Sequence, residues 1–199
     1  MEHEFIFNLG YVGFCDRRQT GAVLEAFKAA GGKNTLIVRA QANEHKLPDM
    51  PHGYEKSKDS DYDYTYPRII RRIYNYDSPT DIYREGDISI QVSAYGGYER
   101  MILESMASGM PTLTMNADPM NIFQPDEDFL MPSHPQELRS SHAWNTIYNR
   151  VDVGELTEKF KWLAKIDTRK YSRKARKVAE GMSWESGKYT KAWRDIIKP

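Results

Sequence analysis

Three short apolar segments, separated by stretches of helical length, constrain the fold of this chain more than any other feature. They cover residues 5–9, 35–38 and 88–92 and are rich in Ile, Val and Phe, which is typical of strands buried in a parallel sheet. Between the first two, Val23, Leu24 and Phe27 recur at helical spacing, and the Gly31-Gly32 pair supplies a stop. The pattern therefore predicts a β-α-β unit.

Further elements continue this alternation. Residues 69–74 and 111–115 read as strands and residues 102–107 as a helix, while Ser78 and Pro79 predict the start of another short helix. After Pro132 the pattern becomes helical, with segments 153–166, 171–181 and a terminal helix over 183–198. Residues 43–67 are polar and aperiodic, and predict a surface excursion from a single domain of residues 1–199. Alternating strands and helices predict an α/β fold with a doubly wound parallel sheet, helices on both faces and a C-terminal helical segment.

The composition disfavours several classes of protein. Lys plus Arg equals Asp plus Glu at 28 each, so nucleic acid is not indicated as a partner, although it stays open as an acceptor. No apolar run reaches the roughly 18 residues of a membrane span. A single cysteine and the lack of a leader pattern predict a cytoplasmic protein. The five histidines show no ligand spacing, so we expect no metal site.

Residues 93–111 carry the most specific motif, because a strand leads through a Gly-Gly turn directly into a helix. Unpaired amides at a helix N-terminus attract anions, and glycine lets a phosphate approach the backbone. In an open α/β sheet, ligands bind beyond the carboxyl ends of the strands, where this turn would lie. From the turn alone, a phosphate site and a purely structural turn are equally good readings.

The same segment resembles the donor-site signature of retaining GT-B glycosyltransferases of the group 1, or family 4-like, type. That signature runs Ser-x-x-Glu-Gly-Phe-Gly, four apolar residues, then Glu-Ala-Met-Ala-x-Gly-x-Pro. The positions that fit it are Ser93, Gly97, Tyr98, Glu104, Met106, Ala107, Gly109 and Pro111. The resemblance implies a Rossmann-like domain that forms one half of a GT-B fold. It also implies that the Glu104 carboxylate binds the ribose hydroxyls of a nucleotide.

Two positions depart from the signature. Gly96 stands where the family has the Glu that touches the transferred sugar, and Glu99 stands where the family has its second Gly. Glu99 could supply the missing carboxylate from three positions along the chain. Alternatively, Tyr98 and Glu99 are rim residues.

The first β-α unit extends the resemblance. Arg17 and Arg18 fall on the family's Arg-Lys pair, whose fixed positive charge stabilises a departing nucleoside diphosphate. Further along, Tyr83 and Asp87 fall on a Tyr and an Asp that precede the signature. The predicted catalytic residues are Arg17, Arg18 and Glu99. The predicted donor-binding residues are Gly10, Gly96, Gly97, Tyr98, Arg100, Met101 and Glu104, and the predicted nucleobase pocket is Arg72, Ile73 and Tyr74.

The resemblance implies a glycosyltransferase donor domain that uses a UDP-, GDP- or ADP-sugar without cofactor or metal and retains the anomeric configuration. The family's N-terminal acceptor-binding domain is absent from these 199 residues. We therefore expect a partner subunit, a homo-oligomer or a shortened form of a larger enzyme. The alternative is a non-catalytic nucleotide-sugar-binding or interaction module.

Overall fold

The computed structural model describes residues 2–11, 17–41, 68–73, 83, 85–97, 99–140, 143–187 and 191. Several predictions fall outside these residues. They concern the surface excursion, the short helix at Ser78, the side chains of Tyr74 and Tyr98, and most of the terminal helix.

Six parallel strands form one sheet. They are β1 (Glu4–Tyr11), β2 (Thr35–Gln41), β3 (Arg68–Ile73), β4 (Ile88–Gln91), β5 (Thr112–Met115) and β6 (Leu130–Met131), in the order β3-β2-β1-β4-β5-β6. From β1 the chain adds β2 and β3 on one side of the sheet, and from β4 it adds β5 and β6 on the other side. This reversal is typical of a doubly wound sheet. The predicted fold class is confirmed, and all five predicted strands form. The two-residue β6 was not predicted.

In the described part of the chain, four helices cover the sheet: α1 (Thr20–Ala30), α2 (Arg100–Ala107), α3 (Val153–Leu163) and α4 (Thr168–Gly181). Right-handed crossovers place α1 and α2 on opposite faces, because β2 and β5 lie on opposite sides of the β1–β4 pair. Helix α3 packs beside α1, and α4 packs beside α2. Edge-to-face rings of Phe5, Phe27 and Phe160 join β1, α1 and α3 in the core.

Two antiparallel strands, β7 (His134–Ser140) and β8 (Ala143–Arg150), pair as a hairpin, so the prediction of helical structure directly after Pro132 was wrong there. The stretch contains the β-formers Trp144, Thr146, Ile147 and Tyr148 close together, and such residues favour paired strands. The turn of the hairpin lies outside the described residues.

The C-terminal part begins as predicted, with α3 and α4. Helix α4 starts three residues earlier than its apolar pattern, because the Asp167 side chain caps it by accepting from the Arg169 amide. Residues 184–186 form a 3-10 turn, and Gly187 follows with φ 71°, so the helix predicted over 183–198 does not begin at Ser183. Within the described residues, every helix falls short of what crossing a membrane requires.

Candidate functional site

The crevice between the loops after β1 and β4 is the natural binding position of this topology. The two strands are neighbours and parallel, and in open α/β sheets the helices that follow such a pair lie on opposite faces and leave a ligand-binding crevice at the carboxyl ends of the strands. Arg17 and Arg18 precede α1, and Ser93 and Glu99 lie between β4 and α2. The described residues of both sequence motifs therefore lie at this end of the sheet.

Arg18 and Glu99 form a buried ion pair at this position. The Arg18 Nη1 donates to Oε2 of Glu99 at 2.9 Å and also to the hydroxyl of Ser93, while Nη2 lies 3.2 Å from the Met101 sulfur. The exposed fractions of the Arg18 and Glu99 side chains are 9% and 3%. Two of the three predicted catalytic residues are thus in direct contact, although 81 positions separate them in the chain.

The surroundings of Arg18 leave it with unused donor capacity. Burial lowers the pKa of Arg18, with the nearby charge of Arg17 acting in the same direction and the Glu99 carboxylate opposing both. A guanidinium stays protonated in spite of such a shift. Among the described residues, no acceptor bonds the buried Nε–H of Arg18, and a buried donor without an acceptor is costly. An anion bound beside Arg18 would accept a hydrogen bond from this Nε–H and remove that cost.

Gly96 lies directly against the carboxylate of Glu99. Glu99 adopts the left-handed conformation (φ 45°, ψ 53°) at the start of α2, and its side chain makes no capping hydrogen bond there. A Cβ added at Gly96 would overlap Oε1 of Glu99 and lie 2.8 Å from its Cγ, whereas one added at Gly97 would meet no atom within 4 Å. The Glu99 carboxylate therefore occupies the space in which a side chain at position 96 would begin.

A second polar pair lies on the exposed face of α2. The Tyr83 hydroxyl donates to Oε2 of Glu104 at 2.6 Å. Burial raises the pKa of Tyr83, and the hydrogen bond to Glu104 and its negative charge raise it further. Glu104 is exposed on the same face of α2 as Arg100, four residues earlier.

The base of the hairpin is hydrogen-bonded to the residues around Arg18 through Gln19, for which the sequence carried no functional signal. Gln19 is buried with φ 56°, and its Nε2 donates to the carbonyls of Val92 (2.9 Å) and Asn149 (3.1 Å). Its Oε1 accepts from the Val151 amide at 3.0 Å. The Asn149 amide in turn donates to the Ala94 carbonyl at 2.7 Å. One side chain therefore joins the start of α1, the end of β4 and the hairpin.

The remaining predicted site residues lie on the elements around the Arg18–Glu99 pair. Arg17 is half-buried, and its carbonyl accepts from the Ala94 amide at 2.7 Å. Gly10 follows an irregularity in the β1–β2 register. Arg72 and Ile73 end β3, two strands from β1, which corresponds to about 10 Å. In the described part of the chain, no group of three His, Cys, Asp or Glu side chains could hold a metal ion.

Comparisons with known proteins identify the fold. No protein-family model matches the chain, and no curated protein matches it in sequence. Among solved structures, it is similar to the catalytic domain of cholesterol-alpha-glucosyltransferase from Helicobacter pylori, with TM-score 0.52 and 10% identity over 88% of this chain and 97% of that one. It is also similar to the pneumococcal O-GlcNAc transferase GtfA in complex with UDP and GlcNAc, with TM-score 0.57 and 12% identity over 98% of this chain and 36% of that one.

A third similar structure is that of the GtfA/B complex, with TM-score 0.64 and 18% identity over 98% of this chain and 35% of that one. The chain thus spans little more than a third of two of these three proteins. At such identities the likeness concerns the fold alone. The chain has the fold of one Rossmann-like half of a GT-B glycosyltransferase.

Proposed function

We propose that this chain is the donor-binding part of a glycosyltransferase, and that the crevice between β1 and β4 binds a nucleotide-diphosphate sugar. The observation that carries the proposal is the buried cluster of Arg18, Glu99 and Ser93 at the carboxyl end of β4. A buried charge is expensive to maintain, and clusters of this kind occur preferentially at functional sites. The likeness to GtfA, whose structure contains UDP and GlcNAc, supports the same ligand class.

The residues of the crevice suit the charge that develops during glycosyl transfer. The bond between the anomeric carbon and the diphosphate oxygen breaks, the acceptor oxygen forms the new bond, and the acceptor proton leaves with the diphosphate. Arg17 and Arg18 would stabilise the negative charge on the departing diphosphate, and burial strengthens that interaction. The free amides at the N-terminus of α2 would add to it.

Glu99 is proposed to face the transferred sugar. Its carboxylate lies beside Gly96, where the family signature has a Glu, so the chain has a carboxylate at this place although the residue order differs. A carboxylate can accept two hydrogen bonds from vicinal hydroxyls. Glu104 would bind the ribose, while Arg72, Ile73 and Tyr74 remain the proposed nucleobase pocket. Metal-free transfer with retention is part of the same proposal.

Titration calorimetry with UDP, GDP, ADP and their sugar conjugates tests donor binding directly. We expect one nucleotide series to bind, Arg18→Ala to weaken that binding strongly, and Glu104→Ala to weaken it to an affinity that calorimetry can still measure. Arg18→Ala leaves the Glu99 charge buried, so the double variant Arg18→Ala/Glu99→Ala serves as a second probe in which neither charge remains. Circular dichroism confirms folding of each variant. If no nucleotide binds to the folded wild type, the donor-site proposal fails.

Transfer to an acceptor is proposed to need a second domain or subunit. The similar structure of the GtfA/B complex contains two kinds of protein by its name, which makes a partner subunit or a homo-oligomer a reasonable arrangement. Co-expression with candidate partners, followed by an assay for sugar transfer from the bound donor, tests this step. A cytoplasmic location, based on the single cysteine, belongs to the same proposal.

One observation favours a second candidate, a non-catalytic nucleotide-sugar-binding module. The Glu99 carboxylate is bonded to Arg18 and is therefore held by a protein group instead of being open toward a substrate. Such a module would bind the donor without transferring or hydrolysing it. Product analysis in the presence of each candidate partner distinguishes the two functions.

A further inference from the structure

Tyr83 is placed to act on Glu104 and not merely to pack beside it. Its hydroxyl donates to Oε2 of Glu104 at 2.6 Å, which is a short hydrogen bond to a charged acceptor. Glu104 is exposed on α2, and an exposed glutamate normally samples several rotamers. A single strong hydrogen bond therefore selects one orientation of an otherwise mobile carboxylate.

Tyr83 interacts electrostatically with residues of both proposed subsites. Its ionisation responds to Glu104 and Arg100 on α2 and also to Arg18 in the crevice, and the charge of Arg18 responds to Tyr83 in return. Arg18 belongs to the proposed diphosphate subsite and Glu104 to the proposed ribose subsite, which are adjacent parts of one nucleotide. Because burial raises the pKa of Tyr83, its phenol stays protonated near neutral pH and remains a donor.

The hydrogen bond from Tyr83 involves one of the two carboxylate oxygens of Glu104. A carboxylate has two oxygens with about four lone-pair directions, and Tyr83 uses one of them on Oε2. Among the described residues, Tyr83 is the one group that donates to this side chain. Oε1 therefore stays available for a ligand hydroxyl, in an orientation set by the tyrosine.

We propose that Tyr83 is a positioning residue that holds the Glu104 carboxylate in one orientation toward the ribose diol of the donor nucleotide. This inference rests on the proposed function, because it concerns the ribose of that nucleotide. It adds to that function one residue outside the glycine-rich turn, Tyr83.

The test compares the affinity for UDP, GDP and ADP with that for their 2′,3′-dideoxy counterparts. The ratio of the two affinities measures how much the ribose hydroxyls contribute. Variants are Tyr83→Phe, Glu104→Ala and the double variant, and the matched control is Tyr171→Phe, which removes a hydroxyl 3.5 Å from Asp128 in another part of the surface. Thermal melting checks that each variant folds.

We expect the wild type to prefer the ribonucleotide, and Tyr83→Phe to reduce this preference by about 3- to 10-fold, the size of effect that the loss of one ordinary hydrogen bond has, because Tyr83 acts on the ligand only through Glu104. In the Glu104→Ala background, Tyr83→Phe should change the preference by less than about 1.5-fold, because the tyrosine acts through the carboxylate. Tyr171→Phe should leave the preference unchanged.

Two results would overturn the inference while leaving donor binding intact. One is a Tyr83→Phe variant that keeps the wild-type preference. The other is an equal loss of preference with and without Glu104, which would mean that Tyr83 acts independently. If the folded wild type binds none of the nucleotides, the proposed function fails together with this inference.

Discussion

At the scale of single residues, the crevice depends on a steric relation between Gly96 and Glu99. The carboxylate of Glu99 fills the space beside the Gly96 Cα, and the same carboxylate bonds Arg18. Any side chain at position 96 would displace one half of a buried ion pair. The absence of a side chain at position 96 is therefore explained by a neighbour in space, since the Gly96 backbone does not adopt the left-handed conformation that favours glycine.

Gly96→Ala should destabilise the protein by about 1–3 kcal/mol, since it forces an extra atom into an occupied space. Gly97→Ala is the matched control, because an added Cβ there meets no atom within 4 Å, and its effect should be much smaller. Urea denaturation measures both. The double variant Gly96→Ala/Glu99→Ala should recover part of the steric loss, and equal effects of the two single alanine variants would contradict this account.

Removing one charge of the Arg18–Glu99 pair should be more costly than removing both. Glu99→Gln leaves the guanidinium without its counter-ion in a site where Arg18 is 9% exposed, and such a change costs about 3–5 kcal/mol. The double variant Arg18→Met/Glu99→Gln should be less destabilised than the sum of the two single variants. A double-mutant cycle by urea denaturation gives the coupling, and strictly additive effects would show that the pair does not interact.

At the scale of elements, the hairpin is connected to α3 by a hydrogen-bonded pair at its base. The Nε2 of His134, the first residue of β7, lies 2.8 Å from Oε2 of Glu155 in the first turn of α3. This hydrogen bond raises the pKa of His134, and the negative charges of Glu155 and Asp152 act in the same direction. The folded protein therefore favours the protonated imidazole, which makes the connection sensitive to pH.

The stabilisation from His134 should be present in acid and lost in base. Because the pKa is raised on folding, the contribution is complete below the unfolded value of about 6.5 and disappears as the pH rises through the higher folded value. His134→Gln should thus be less stable than the wild type near pH 5 and equally stable near pH 9. Melting curves across this range test it, with Lys161→Gln on an exposed face of α3 as a control that should show no such difference.

At the scale of the whole molecule, the crevice is assembled by side-chain bonds between distant segments. Gln19 bonds the end of β4 and both Asn149 and Val151 at the base of the hairpin. Gln19 directly follows Arg18 in the chain, so the backbone position of Arg18 depends on the same hydrogen bonds. The geometry around Arg18 is therefore coupled to the anchoring of the hairpin.

Gln19→Ala should loosen the hairpin base and weaken nucleotide binding together. Each buried group left without its partner costs about 1–3 kcal/mol, and the amides of Asn149 and Val151 should lose protection from hydrogen exchange. The control is Gln124→Ala, which removes an amide bonded to the carbonyl of Thr112, the first residue of β5, at the end of the strand opposite to its carboxyl end. A Gln19→Ala protein with unchanged exchange at the hairpin base would refute the coupling.

The amino-acid sequence by itself determined the elements and their class. Strands β1, β2 and β4 and helices α1 and α2 could be predicted because apolar periodicity, glycine stops and caps are local properties. Alternation of strand and helix then restricts the topology to a doubly wound sheet. The resemblance to the GT-B signature, and not the strand order, was the basis for predicting Arg17, Arg18 and Glu99 as parts of one site, and Arg18 and Glu99 are in contact.

Only the tertiary structure decided which of these residues bond and what surrounds them. The pairing of Arg18 with Glu99, the closeness of Glu99 to Gly96 and the hydrogen bond from Tyr83 to Glu104 all depend on side-chain directions that sequence spacing does not specify. The hydrogen bonds between Gln19 and the hairpin base could not be recognised from local sequence, because they join residues about 130 positions apart. Such contacts form only when the sheet brings distant loops to one edge, and this is why the walls of the crevice could not be predicted from the chain alone.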